Sequence, residues 1–162
     1  MKAQIEQELK RLVNHAVLET VDSTKESIKW ACPTVNVKKP DGSIRICGDF
    51  RCSINKYAIV SPYPLPRFEE IMDKVKEGDK YSVLDLKDAY LQLPLDNKSK
   101  EFVGISTHVG FFRYRRLPFG VSSAPAIFQA TIDKILHGIP QVACYLDDNS
   151  HGPQRCRASR KP

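Results

Sequence analysis

Val142-Ala143-Cys144-Tyr145-Leu146-Asp147-Asp148 reads as a short apolar strand that runs straight into two carboxylates. Tyr81-Ser82-Val83-Leu84-Asp85 reads the same way and ends in a third. Two buried strands that finish in acid can bring their ends to one edge of a sheet. Carboxylates gathered there repel one another unless positive charge neutralises them. Oxygen-rich clusters select hard cations, and Mg²⁺ takes one or two carboxylates together with substrate phosphates. Two such ions can activate an attacking hydroxyl and stabilise a leaving pyrophosphate. The competing reading is a turn, because Asp bonds its own backbone and favours reversals at strand ends.

The segments around these strands set the fold class. Ile5, Leu9, Leu12, Val13 and Ala16 recur at helical spacing, which predicts an amphipathic helix over residues 2–16. A mixed polar stretch follows from Thr20 to Ile28. Residues 34–38 and 44–48 are expected strands, with Asp41-Gly42 between them as a hairpin signal. Ser61-Pro62-Tyr63-Pro64-Leu65-Pro66 is an extended connector, because each proline turns its predecessor away from helix. Pro66 suits the first turn of a helix through Lys76, which Gly78 ends. A strand is expected at 80–85, a strand pair at 102–106 and 111–115, and a helix from Ser122 or Ser123 to His137. The order helix, strands, helix, strands, helix, strand predicts an α+β fold with helices packed on an antiparallel sheet.

Two further clusters could serve a phosphate ligand. Lys38, Lys39, Arg45 and Arg51 lie on or beside the hairpin, where Arg forks and Lys charges can clamp a triphosphate. A solvated hairpin surface would look the same. Leu117-Pro118-Phe119-Gly120-Val121-Ser122-Ser123-Ala124-Pro125 is an apolar loop entering a helix N-terminus, a place that favours anions. It could equally be a plain cap. Tyr90, close behind Asp85, could wall a sugar pocket or belong to the core.

Composition bounds the rest. With 41% hydrophobic residues in 162, the chain can build one ordinary domain or two small interdependent ones. No apolar run approaches the ~20 residues that span a bilayer, and the charged start at Met1–Arg11 lacks a signal-peptide pattern. An intracellular, cytoplasmic protein with no membrane partner is expected. Five cysteines, an odd number without Cys-x-x-Cys, point to free thiols. The net charge is +6, but residues 149–162 hold Arg155, Arg157, Arg160 and Lys161 with no acid, which accounts for four of the six. Bulk charge therefore says little about the remainder.

Taken in order, the text resembles the reverse transcriptases of gypsy-type long-terminal-repeat retrotransposons and retroviral Pol polyproteins. The matching stretches are Trp30–Pro33, Val37–Arg51, Tyr63–Pro66, Tyr81–Tyr90, Phe111–Tyr114, Leu117–Gln129 and Tyr145–Asp148, collinear over about residues 5–148. The resemblance implies a right-hand polymerase: an N-terminal helix at 1–19, fingers at 20–60 and an incomplete palm at 61–148. It implies RNA-directed DNA polymerase chemistry, in which Asp85, Asp147 and Asp148 are catalytic and hold two Mg²⁺, or Mn²⁺ in its place. Lys39, Arg45, Tyr90, Phe119 and Gly120 would bind the dNTP. The partners implied are dNTPs and an RNA or DNA template with its primer, in a retroelement particle when part of a full polyprotein.

The stretch Thr24–Ile28 looks slightly longer than the family's, which touches only a loop. After Asp148 the pattern departs altogether. The family continues with an apolar strand, whereas this chain reads Asn149-Ser150-His151-Gly152-Pro153-Gln154-Arg155. Gly and Pro oppose a strand there, so 149–162 is expected to be a disordered basic tail. The chain is then expected to stop before the thumb, and the isolated fragment to extend primers little or not at all. Two rivals stand beside the enzyme reading. One is a non-catalytic nucleic-acid-binding remnant of a retroelement. The other is an aggregating product with an exposed sheet edge.

Overall fold

The computed structural model describes residues 2–40, 42–60, 62–64, 66–76, 80–145 and 155–160, with backbone alone at 80, 81, 145 and 155–160. The described chain forms two compact units. The first takes residues 1–59 and 90–124, and the second residues 60–89 and 125–162. This differs from the contiguous palm expected at 61–148. Strand pairing is the reason: the hairpin at 104–114 builds the first unit's sheet and must belong with it.

The first unit opens with helix α1 (Lys2–Asn14) and strand β1 (Leu18–Val21). Strands β2 (Cys32–Lys38) and β3 (Ile44–Gly48) pair antiparallel, with Val37 opposite Arg45. Gly42 at the turn has φ of +82°, a region that L side chains avoid. Strand β1 begins two residues before the polar stretch expected from Thr20 and overlaps its start. At four residues it is too short to show a period, and it is set by pairing with a strand more than ninety positions on.

In the second unit, helix α2 (Phe68–Val75) is shorter than expected, and Pro66 stays outside it. Glu70 accepts a hydrogen bond from the Arg67 N–H at the helix start. Strand β4 (Lys80–Asp85) follows where expected. The chain then returns to the first unit through a short helix α3 (Asn97–Lys100), capped by Asp96 on the Ser99 N–H. Strands β5 (Gly104–Thr107) and β6 (Gly110–Tyr114) form the second hairpin. Helix α4 (Ala124–Leu136) and strand β7 (Val142–Tyr145) lie close to their expected places. Gly138, with φ of +83°, marks the stop after α4.

The first unit's sheet has five strands in the order β1-β6-β5-β2-β3, antiparallel except for a parallel step from β2 to β5. Its core joins Ile5, Leu9 and Leu12 of α1 to Leu18, Ile46, Phe50, Ile105 and Phe112. Burying a residue such as Leu9 contributes roughly 1.5–3 kcal/mol. Gly104 has no room for a Cβ, which would collide with the Trp30 carbonyl. The second unit's apolar cluster is small: Ile71 and Val75, one turn apart on α2, with Met72 and Ala143 of β7.

One expectation is overturned. Within the stretch read as a disordered tail, Arg155–Arg160 forms strand β8, antiparallel to β4 on one side and β7 on the other. The sheet order is β4-β8-β7. Polar side chains argue against a strand there, but a ladder is made of backbone groups. Residues 155–160 contain no proline and supply a full row of donors and acceptors. Gly152 and Pro153 lie outside the described residues. Cys32, Cys47 and Cys52 are free thiols, as expected.

Candidate active site

The sequence-predicted residues divide between the units, and each half is built by its own sheet. In the second unit, β4 and β7 each run antiparallel to β8, so they run parallel to one another. Asp85 pairs in register with Arg155, and so does Tyr145. The last residues of β4 and β7, Asp85 and Tyr145, therefore stand at one level of the sheet. One strand separates them, about 10 Å at the usual strand spacing. Asp85 is exposed and forms no ion pair among the described residues. Its carboxylate oxygens are hard donors of the kind Mg²⁺ takes. Asp147 and Asp148, the other two predicted ligands, lie outside the described residues. Among the described residues no group of three His, Cys, Asp or Glu could hold a metal ion.

In the first unit the predicted nucleotide-binding residues come together. Along β3 burial alternates, with Ile44, Ile46 and Gly48 facing the core. Arg45 and Cys47 therefore face the other way. The Arg45 guanidinium carbon lies 5.3 Å from the centre of the Phe119 ring, a cation–π distance. Phe119 in turn stacks at a tilt on Tyr90, with ring centres 5.1 Å apart. Tyr90 is packed against the core as well as facing Phe119. The buried Arg45 Nε has no hydrogen-bond partner among the described residues. A buried donor without a partner is costly, and an anion would satisfy it. Lys39 sits at the hairpin turn, where its N–H donates to the Ser43 carbonyl. Burial pushes the Cys47 thiol pKa up, while the positive charges of Arg45 and Lys39 act against that rise.

Gly120 adopts φ of +92°, and a Cβ there would lie 3.3 Å from the Gly48 carbonyl oxygen. The Gly120 carbonyl accepts from Asn55 Nδ2 at 2.8 Å, and the Ser122 N–H donates to Asn55 Oδ1 at 2.9 Å. Asn55 thus clamps the loop that carries Phe119 and Gly120. Sequence reading passed over it. Its only signal is a lone Asn in a turn, too common to single out. The same bond occupies the Ser122 N–H, one of the groups the loop was expected to offer an anion. Asp49 holds Arg51 through a 2.8 Å ion pair, and that hydrogen bond keeps the Asp49 carboxyl below its usual range. A groove of about 270 Å³ in the same unit is lined by Trp30, Lys29, Phe111 and Arg113 among others, and by none of Lys39, Arg45, Tyr90, Phe119 and Gly120.

A second feature missed from sequence lies in the second unit. The wholly buried Gln129 donates from Nε2 to Asp133 Oδ1 at 2.8 Å and to the Cys144 carbonyl at 3.4 Å. Asp133 Oδ2 accepts from the Tyr63 hydroxyl at 2.9 Å. A polar residue on the apolar face of α4, beside Phe128, was the available clue.

Residues 37–150 match the family described as reverse transcriptase (RNA-dependent DNA polymerase). The chain is 43% identical over 146 residues to an uncharacterised protein of Caenorhabditis elegans, a match covering 89% of this chain and 11% of that protein. It is 31% identical over 151 residues to the retrovirus-related Pol polyprotein from transposon 297 of Drosophila melanogaster, covering 90% of this chain and 14% of the relative. The chain thus spans little more than a tenth of the length of these relatives. Its fold matches that of the foamy viral protease-reverse transcriptase solved with double-stranded DNA, with a TM-score of 0.81 at 22% identity, over 99% of this chain and 26% of that one. The sequence motifs, the family match and the fold agree: the chain belongs to the reverse transcriptase family.

Proposed function

We propose that the chain forms the nucleotide- and metal-binding part of an RNA-directed DNA polymerase. The observation that carries this reading is the shared register of Asp85 and Tyr145 on Arg155, which sets the last residues of β4 and β7 at one level of the sheet. Asp85, with Asp147 and Asp148, would hold two Mg²⁺ ions. When bound, such ions favour the attacking form of a primer 3′-hydroxyl and neutralise charge on the departing pyrophosphate. Everything else falls to the chain's own side chains. Arg45 brings an unpartnered donor to the triphosphate, and Phe119 holds the guanidinium through a cation–π contact. Lys39 adds a point charge, and Tyr90 walls the sugar. Gly120, lacking a side chain, lets the nucleotide approach the backbone.

A primed RNA or DNA template is the proposed partner. The double-stranded DNA held by the foamy viral neighbour supports it. The Pol polyprotein relative supports a retroelement particle inside the cell as the setting. Among the described residues no helix is long and apolar enough to cross a membrane. The rival reading is nucleic-acid binding without catalysis, through the fingers and the basic stretch 149–162, of which residues 155–160 form part of a sheet.

The test is binding of a fluorescent dNTP to the chain, followed by anisotropy with and without Mg²⁺. Arg45→Ala is expected to weaken binding about tenfold in either condition, as loss of one charge-assisted hydrogen bond does. Asp85→Asn is expected to remove only the Mg²⁺-dependent part. Unchanged affinity in both variants would overturn the reading.

A further inference from the structure

We propose that Gln129, held by Asp133 and Tyr63, is a positioning residue for β7 and thereby for the strand end that leads into Asp147 and Asp148. Gln129 has no solvent exposure, yet its Oε1 lacks a hydrogen-bond partner among the described residues. A buried carboxamide with an idle acceptor is a poor way to fill a core. An apolar side chain of the same shape would pack there without that cost. What the amide holds is therefore the reason for its presence.

Its orientation is settled by its neighbours. Asp133 Oδ1 and the Cys144 carbonyl can only accept, so the NH₂ end must face both. Asp133 is fixed from its other oxygen by the Tyr63 hydroxyl, and that bond pushes the Tyr63 phenol pKa up. The chain of contacts runs from the connector at Tyr63, through α4, to the backbone of Cys144. That backbone belongs to an outer strand of the sheet among the described residues, with β8 as its neighbour. A side-chain amide from α4 also reaches its Cys144 carbonyl. Outer-shell partners of this kind orient the groups that touch a metal.

This inference rests on the metal-binding reading of Asp85, Asp147 and Asp148, and its test separates the two. The full 162-residue chain is titrated with Mn²⁺ while free Mn²⁺ is followed by electron paramagnetic resonance. Amide hydrogen exchange is measured in parallel over 142–145. Gln129→Met and Asp133→Leu are expected to weaken Mn²⁺ binding about 10–100-fold and to speed exchange in β7. Asp133→Asn keeps an acceptor for Gln129 and is expected to stay within about threefold of the parent, a rescue that a simple packing role would not give. If Gln129→Met does not fold, Asp133→Leu is read in its place, since it leaves Gln129 intact. Parent-like exchange and parent-like affinity in these variants overturn the positioning role. Parent chain that binds Mn²⁺ no better than Asp85→Asn overturns the metal reading instead, and exchange in β7 then decides the positioning role by itself.

Discussion

The first unit holds its site residues against a thick apolar cluster, while the second holds Asp85 on a three-stranded ladder with a cluster built around Ile71 and Val75. Arg45 stands on the reverse face of a strand whose alternate residues are locked into the core. Phe119 follows a loop anchored by the buried Leu117 and Pro118 and clamped by Asn55. Removing one contact there leaves many others. The acid half depends on backbone pairing and on a single buried polar chain. A triphosphate clamp needs rigid donors, and a metal site needs carboxylates whose placement follows from the strands beneath them. The two halves meet those needs by different means, and substitutions should tell them apart.

The largest effect is expected from Phe50→Ala. Phe50 is buried to 1% and stacks at a tilt on Tyr114, so its loss should cost about 3–5 kcal/mol. Urea unfolding followed by the fluorescence of Trp30, the chain's one tryptophan and a member of the first unit, measures it. Ile71→Ala should cost about 2–5 kcal/mol, read from exchange protection in α2 with the Trp30 transition unmoved. If both variants shift the Trp30 transition equally, the two units unfold as one and the comparison fails.

A smaller effect comes from pH. Burial pushes the Cys32 thiol from an ordinary 9.0 up to about 11. The folded state then keeps a proton that the unfolded state gives up. This contribution is complete below pH 9 and fades as pH rises from 9 towards 11, amounting to roughly 1–3 kcal/mol. Denaturation at pH 8 and pH 10.5 should show the loss in the parent and not in Cys32→Ala. Cys52, which is exposed, should react with thiol reagents at pH 8 while Cys32 does not. The smallest effect is expected at Arg51→Ala. Its partner Asp49 gains an exposed ion pair that solvent screens, so the unfolding midpoint should not move measurably.

What could be read from the sequence was local. The hairpin joining 34–38 to 44–48 and the helix from Ser122 or Ser123 to His137 each follow from a few adjacent residues, and each lies close to its expected place in the structure. The strand ending at Asp85 was likewise legible. Missed features depend on partners distant in sequence. Leu18–Val21 is a strand because β6 is beside it, and Arg155–Arg160 because β4 and β7 leave a place for it. Asn55 reaches a loop 65 residues away, and Tyr63 reaches an acid 70 away. Composition and period carry no trace of such pairings. The collinear motifs succeeded where spacing was ambiguous because they encode those distant pairings together.

The parallel step from β2 to β5, which seats Cys32 opposite Ile105, has a consequence for how the chain comes into being. During synthesis the N-terminal helix and first hairpin emerge long before β5. They must wait through the whole 60–89 segment for the strand that completes their sheet. Closing so long a loop is slow, and until then a row of unpaired backbone groups stays open to other chains. Pausing translation near residue 60 should therefore yield a nascent chain that engages chaperones, and release past residue 114 should end that engagement.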